Sequence, residues 1–220
     1  MTEREVRRRR LEEARLYCCT DGRGSLAAFE AFIESIVRGG VDIVQLRDKD
    51  MEARDALAYL EVLTRVTRRL GALSCMNDRA DLAALAGVDI VHVGQDDLTA
   101  AQARAIVGPD VLIGRSTHAP EEARQAMSED DVDYFAVGPV WPTPTKPGRA
   151  APGLEFVRAV AQLAPAKPWF AIGGVDLDRI PAVAEAGATR VVVVRALTGA
   201  TEPGVAATDL RRTLADVSRA

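Results

Sequence analysis

The sequence predicts an α/β chain folded as a (β/α)8 TIM barrel, and three observations carry that expectation. From Arg15 onward, short β-rich apolar runs alternate with Ala/Leu-rich stretches of helical spacing, the order expected of parallel α/β folds. Several of the runs, Val191 to Val194 most plainly, are apolar on both faces, as strands covered by helices must be. Eight such units fill 220 residues with no sign of a second core. A closed barrel needs at least about 200 residues, so the closed form is favoured over a doubly wound sheet and leaves little room for insertions.

In chain order, the predicted strands are Leu16–Thr20, Ile43–Leu46, Leu73–Met76, Ile90–Val93, Val111–Gly114, Tyr134–Val137, Trp169–Ile172 and Arg190–Val194. Each is rich in β-branched, aromatic or large aliphatic residues and stops at polar residues or glycine. The helices between and after them are expected near Leu26–Arg38, Ala53–Leu70, Arg79–Ala86, Thr99–Val107, Pro120–Met127, Leu154–Leu163, Leu177–Ala186 and Val205–Val217. Gly39, Gly40, Gly71, Gly87, Gly108 and Gly187 follow helices where C-caps belong. Pro120 and Pro181 stand near helix starts, where a missing N–H costs least. Residues 1–14 form a charged N-terminal helical extension and residues 15–220 the single barrel. The first fifteen residues hold six arginines and four glutamates, which reads as a solvated helix, with an RNA-binding arm as the competing reading. They lack the apolar core of a signal peptide, and a transit peptide would lack the acids.

Composition narrows the function classes. With 48% hydrophobic residues the chain can bury one sizeable core and is not disordered in bulk. No apolar segment approaches the roughly 18 residues of a membrane span. A net charge of −4 argues against a dedicated nucleic-acid binder. Cys18, Cys19 and Cys75 have neither metal-ligand nor redox spacing and read as small core residues of a cytoplasmic protein. Only two histidines, His92 and His118, are present, which disfavours histidine-rich metal sites and a Ser-His-Asp hydrolase.

A barrel enzyme carries its site at the carboxyl ends of its strands. Those ends read Gln45-Leu46-Arg47-Asp48-Lys49, Asn77-Asp78-Arg79, Gly94-Gln95-Asp96-Asp97, Ser116-Thr117-His118, Gly173-Gly174 and Val194-Arg195. Between the sixth strand and the next helix runs a loop, residues 138–153, holding Thr143, Pro144, Thr145 and Lys146 among further prolines; its length and composition suit a segment that orders over bound substrates, though a stiff proline-rich connector is the competing reading. Gly173-Gly174 lets backbone N–H groups approach a phosphate, though a plain tight turn is the competing reading. Asp78 and Asp97 could share Mg2+, which takes hard oxygen ligands, or each could cap the helix that follows it. Arg47, Lys49 and Lys146 supply positive charge suited to a diphosphate. Asn77 and Ser116 could complete that shell, and the Gln45 amide could fix a heterocycle. No strand end offers a nucleophile paired with a base, so a reaction driven by departure of diphosphate fits best.

These residues resemble the thiamine-phosphate synthase family across essentially the whole chain. The resemblance is carried by Leu16-Tyr17-Cys18-Cys19-Thr20-Asp21, Val44 to Lys49, Met76-Asn77-Asp78-Arg79, Val91 to Asp97, Gly114 to His118, Gly138-Pro139-Val140 with Thr143 to Lys146, and Ile172-Gly173-Gly174-Val175. It implies a (β/α)8 transferase that joins a hydroxymethylpyrimidine diphosphate to a thiazole phosphate, releasing diphosphate. By position, Gln45 to Lys49, Asn77, Ser116 and Lys146 would bind the pyrimidine diphosphate, with Arg47, Lys49, Ser116 and Lys146 catalytic. Asp78 and Asp97 would ligate Mg2+. Thr143, Pro144, Thr145, Gly173, Gly174, Val194 and Arg195 would hold the thiazole phosphate. The chain departs from the family at Arg179, often asparagine, and at Arg195, often serine; Pro147-Gly148-Arg149 also replaces an acid that often follows the loop lysine. The expected partners are the two small-molecule substrates, with no nucleic acid or membrane; a homo-oligomer stays open. Two rival readings stand beside it. One is a thiazole tautomerase using His118 as a proton shuttle; the other is a non-catalytic barrel that kept a phosphate cup.

Overall fold

The computed structural model describes residues 2–143 and 151–217. Eight parallel strands close on themselves in chain order: β1 (Leu16–Thr20), β2 (Ile43–Leu46), β3 (Leu73–Asn77), β4 (Ile90–Val93), β5 (Leu112–Thr117), β6 (Tyr134–Val137), β7 (Trp169–Ile172) and β8 (Val191–Val193). β1 closes the barrel by pairing with β8, Tyr17 opposite Val192. Around them lie α1 (Glu3–Glu13), α2 (Leu26–Arg38), α3 (Ala53–Leu70), α4 (Ala80–Ala86), α5 (Ala100–Val107), α6 (Pro120–Ser128), α7 (Gly153–Gln162), α8 (Ile180–Glu185), α9 (Arg195–Thr198) and α10 (Pro203–Val217). Their starts follow local chemistry. The Ser25 hydroxyl accepts from the Ala28 N–H at the head of α2, and Thr99 forms a reciprocal cap with Gln102 at the head of α5. Gly71 ends α3 with φ +84°, a conformation that costs glycine little.

Alternation along the strands divides the apolar residues into two cores. Leu16, Cys18, Val44, Leu46, Val91, Val93, Phe135 and Val137 face the helices. Tyr17, Cys19, Ile43, Leu73, Cys75, Ile90, Leu112, Tyr134, Phe170 and Val192 fill the barrel. Gly114 lies opposite Tyr134 in the β5–β6 register, and a side chain there would collide with the tyrosine ring. The small residue gives the large one its place across the interior.

Five expectations need revision. β5 runs to Thr117 rather than stopping at Gly114, so Ser116 is held on a strand and not on a loop. β3 extends by one residue to Asn77, and β8 loses both of its expected end residues. The helix expected over 177–186 is split, because a single 3-10 turn at Leu177–Arg179 precedes the Pro181-containing α8. Finally, α1 is more than a solvated helix. It covers the amino ends of the strands, where Arg4 and Arg8 meet Asp133, Arg7 meets Asp89, and Leu11, 1% exposed, seals the interior core. Mixed charge gave no hint of this, since the acidic partners lie over 80 residues away in sequence. Among the described residues, no helix is long and apolar enough to cross a membrane.

Candidate active site

The carboxyl ends of the strands surround a cavity of about 740 Å3. Its wall includes Gln45, Arg47, Lys49, Asn77, Asp78, Asp97, Ser116, Thr143, Gly173, Gly174, Val194 and Arg195, so parallel strand direction brings most of the expected residues together. Two rim residues do not line it. Leu46 turns outward into the helix-facing core, and Asp48 accepts from the Gly22 N–H at 3.4 Å. Pro144, Thr145 and Lys146 lie outside the described residues, as does most of the loop expected to order over substrates.

One side of the cavity is built to hold opposite charges together. Asp78, at φ +62° just beyond β3, donates its N–H to the His92 carbonyl at 2.8 Å. Its carboxylate meets the Lys49 ammonium at 2.9 Å. Burial pushes the Asp78 carboxyl upward, Lys49 pulls it back, and the adjacent Asp97 carboxylate adds to the rise. Asp97 is anchored by the Gly94 N–H, 2.8 Å from Oδ2. Neither aspartate caps the helix that follows it: Arg79 stands at the N-cap of α4 without a side-chain bond, and Thr99 caps α5. Two facing carboxylates, one partly desolvated, form a donor set suited to a hard divalent cation that keeps its remaining ligands as water and phosphate oxygen. Among the described residues no group of three or more His, Cys, Asp or Glu side chains converges as a metal cage.

The opposite side is mostly backbone. Gly173 and Gly174, at φ +105° and +72°, turn the chain after β7. The residues following β6 are laced to that turn, Val140 N–H to the Ile172 carbonyl at 2.8 Å and Trp141 N–H to the Gly173 carbonyl at 3.0 Å. Arg179 stacks over Trp141, 4.9 Å from ring centre, and donates to the Gly174 carbonyl at 2.6 Å. Arg179 therefore braces the double-glycine turn. Val194 and Arg195 open α9 directly beside it.

The floor holds what the sequence alone did not reveal. Gln45 Nε2 donates to Tyr17 Oη at 2.8 Å, Tyr17 and Tyr134 share a hydrogen bond of 3.1 Å, Tyr134 meets His92 Nδ1 at 3.0 Å, and His92 Nε2 meets Ser116 Oγ at 2.9 Å. Cys19 Sγ donates to Gln45 Oε1 at 3.1 Å. Burial drives both phenols well above their usual range, so they stay protonated donors, and it raises the Cys75 thiol to about 12. Every second residue of β1 and the single inward histidine of β4 could have signalled this layer, but a tyrosine or cysteine inside a strand reads as ordinary core. His118 donates its backbone N–H to Glu122 Oε2 at 2.7 Å, and its Nδ1 meets the same oxygen at 3.2 Å, so it is tied to α6 while it lines the cavity.

A family model for thiamine monophosphate synthase matches residues 16–197. A thiamine-phosphate synthase of Streptomyces avermitilis is 53% identical over 210 residues, spanning 96% of this chain and 98% of that one. Another, from Thermobifida fusca, is 54% identical with 96% of each chain covered. Among solved structures, a thiamine phosphate pyrophosphorylase from Pyrococcus furiosus superposes with a TM-score of 0.84 at 30% identity, covering 96% of this chain and 98% of that one. A 3-hexulose-6-phosphate synthase, 23% identical with a TM-score of 0.63, shares the barrel.

Proposed function

The chain belongs to the thiamine monophosphate synthase family, transferases of thiamine biosynthesis, and we propose that its cavity joins a hydroxymethylpyrimidine diphosphate to a thiazole phosphate. The products are thiamine monophosphate and diphosphate. The observation that carries the site assignment is the placing of Asp78, Asp97, Lys49 and Arg47 on one wall, with the Gly173–Gly174 turn on the other. Two phosphorylated ends thus have separate seats across one cavity.

In this reading Gln45, Arg47, Lys49, Asn77 and Ser116 hold the pyrimidine diphosphate, joined by Lys146 on the strength of the resemblance. Leu46 and Asp48, which do not line the cavity, are given no contact with substrate in this reading. Thr143 to Thr145, Gly173, Gly174, Val194 and Arg195 seat the thiazole phosphate. Asp78 and Asp97 would hold Mg2+, which supplies charge neutralisation for the diphosphate. Arg47 and Lys49 stabilise the leaving group by fixed charge, acting most strongly as negative charge builds on the departing oxygen. The methylene C–O bond breaks with its electron pair going to diphosphate, helped by the pyrimidine amine. The thiazole nitrogen lone pair then forms the new C–N bond. No proton need leave a carbon. The Ser116–His92 pair, which the sequence did not lead one to expect at a strand end, is therefore not needed as nucleophile and base. Orientation of the two rings by opposite walls supplies the remaining advantage.

The test is to mix both substrates with Mg2+ and follow diphosphate release; folded protein that releases none would overturn the proposal. Turnover of the thiazole phosphate tautomer alone, without metal, would put the tautomerase reading in its place. We infer a cytoplasmic site of action, supported by three buried free cysteines and by small polar substrates.

A further inference from the structure

The relay beneath the cavity has a direction that chemistry can decide. Ser116 Oγ carries one hydrogen. A phosphate oxygen or an aromatic ring nitrogen can only accept, so Ser116 must give that hydrogen to the ligand. Its oxygen then has to accept from His92 Nε2, 2.9 Å away. In a neutral imidazole this leaves Nδ1 as an acceptor, and the hydroxyl at 3.0 Å is that of Tyr134. Tyr134 in turn accepts from Tyr17, and Tyr17 from Gln45 Nε2. The opposite direction also closes, from Ser116 to His92, Tyr134, Tyr17 and finally Cys75 Sγ at 3.2 Å, but it turns the serine hydrogen away from the ligand.

We propose that Tyr134 and His92 are positioning residues that hold Ser116 as a donor toward the pyrimidine diphosphate and link it to Gln45 across the barrel floor. This rests on the assignment of Ser116 and Gln45 to that substrate. An acceptor arriving at Ser116 selects one of two hydrogen-bond directions, and the aligned bonds reinforce one another. Gln45 keeps one N–H on Tyr17 in either direction and, with Cys19 Sγ on Oε1, has one lone pair there for a donor such as an exocyclic amine. Affinity for the pyrimidine would thus be set partly by two phenols that never touch it.

The experiment is a double-mutant cycle on the full chain using Tyr134→Phe and Ser116→Ala. Tyr134→Phe alone is expected to lower kcat/KM for the pyrimidine diphosphate by roughly tenfold, the worth of one hydrogen bond to a well-placed donor. In the Ser116→Ala background the same change should cost less than about twofold, because the group it acts through is gone. The KM for the thiazole phosphate should stay within about twofold of wild type, which a merely structural loss would not respect. Tyr17→Phe withdraws only the hydrogen bond that reinforces Tyr134, so it should lose a smaller part of kcat/KM, again only while Ser116 is present, and it serves if Tyr134→Phe does not fold. Equal losses in both backgrounds, or matching shifts for both substrates, with an active wild type, would overturn the relay alone. A wild type silent toward the substrate pair would overturn the relay together with the functional assignment beneath it.

Discussion

Substituting Gly173 by alanine tests the double-glycine turn where the geometry is most demanding. Gly173 sits at φ +105°, a region that costs an L side chain about 1–2 kcal/mol. A Cβ there would also lie 2.6 Å from Pro139 Cα and Cβ and 2.9 Å from Val140 N. Carbon atoms in contact prefer about 3.5–4.0 Å, so backbone must move, at about 1–3 kcal/mol by analogy with overpacked cores. Together the two effects come to about 2–5 kcal/mol. Gly71→Ala is the matched control, because Gly71 has φ +84° but nothing within 4 Å of where its Cβ would stand. It should lose only the conformational part, about 1–2 kcal/mol. Urea unfolding of the two variants against wild type isolates the clash as their difference, about 1–3 kcal/mol. The moving atoms are those that lace the β6 exit to the turn, so Gly173→Ala should also raise the KM for the thiazole phosphate while Gly71→Ala leaves it alone. Equal destabilisation of the two variants with unchanged KM would refute the packing argument.

The same contacts lead to three further outcomes. Asp97→Ala should abolish most of the Mg2+-dependent rate with little loss of stability, because the Gly94 N–H that anchors it lies in a loop; steady-state rates across a Mg2+ titration decide it, and an unchanged rate removes Asp97 from the metal site. Asp133→Ala should cost about 3 kcal/mol in urea unfolding, near the low end for breaking a buried ion pair because Arg8 stays about half exposed, while both KM values hold; a neutral effect would show that α1 is not secured through this carboxylate. Cys18 and Cys75, fully buried and with thiols raised by desolvation, should resist alkylation at about pH 8 in the folded chain and react fully in denaturant; rapid native labelling would contradict their packing.

Much of the architecture is legible in the sequence because period-2 strands and helical spacing are local signals, and parallel barrels then fix which strand ends converge. β1, β2, β4, β6 and β7 have the bounds their apolar runs predict. β5 misleads because Arg115, Ser116 and Thr117 look like loop residues, yet all three are buried on the strand. Their polar atoms are satisfied by partners far along the chain, Ser116 by His92 and Thr117 by the Ala136 carbonyl. The relay of Tyr17, Tyr134 and His92 is hidden for the same reason: its members are separated by up to 117 residues and meet only once the barrel closes. The seating of α1 likewise depends on acids before β4 and β6 that no local pattern couples to it. Rim residues such as Asp78 and Gly173 are readable because their position at a strand end is itself local.

Everything proposed for the cavity depends on its two walls bringing a diphosphate leaving group and a thiazole nucleophile together. The stoichiometry of diphosphate and joined product, followed in one incubation of the full chain with each substrate and Mg2+ omitted in turn, addresses that juxtaposition without intermediaries. Equal amounts of both products are expected in the complete mixture, and neither when either substrate or the metal is left out. Diphosphate without joined product, or full turnover without Mg2+, would contradict the two-walled site.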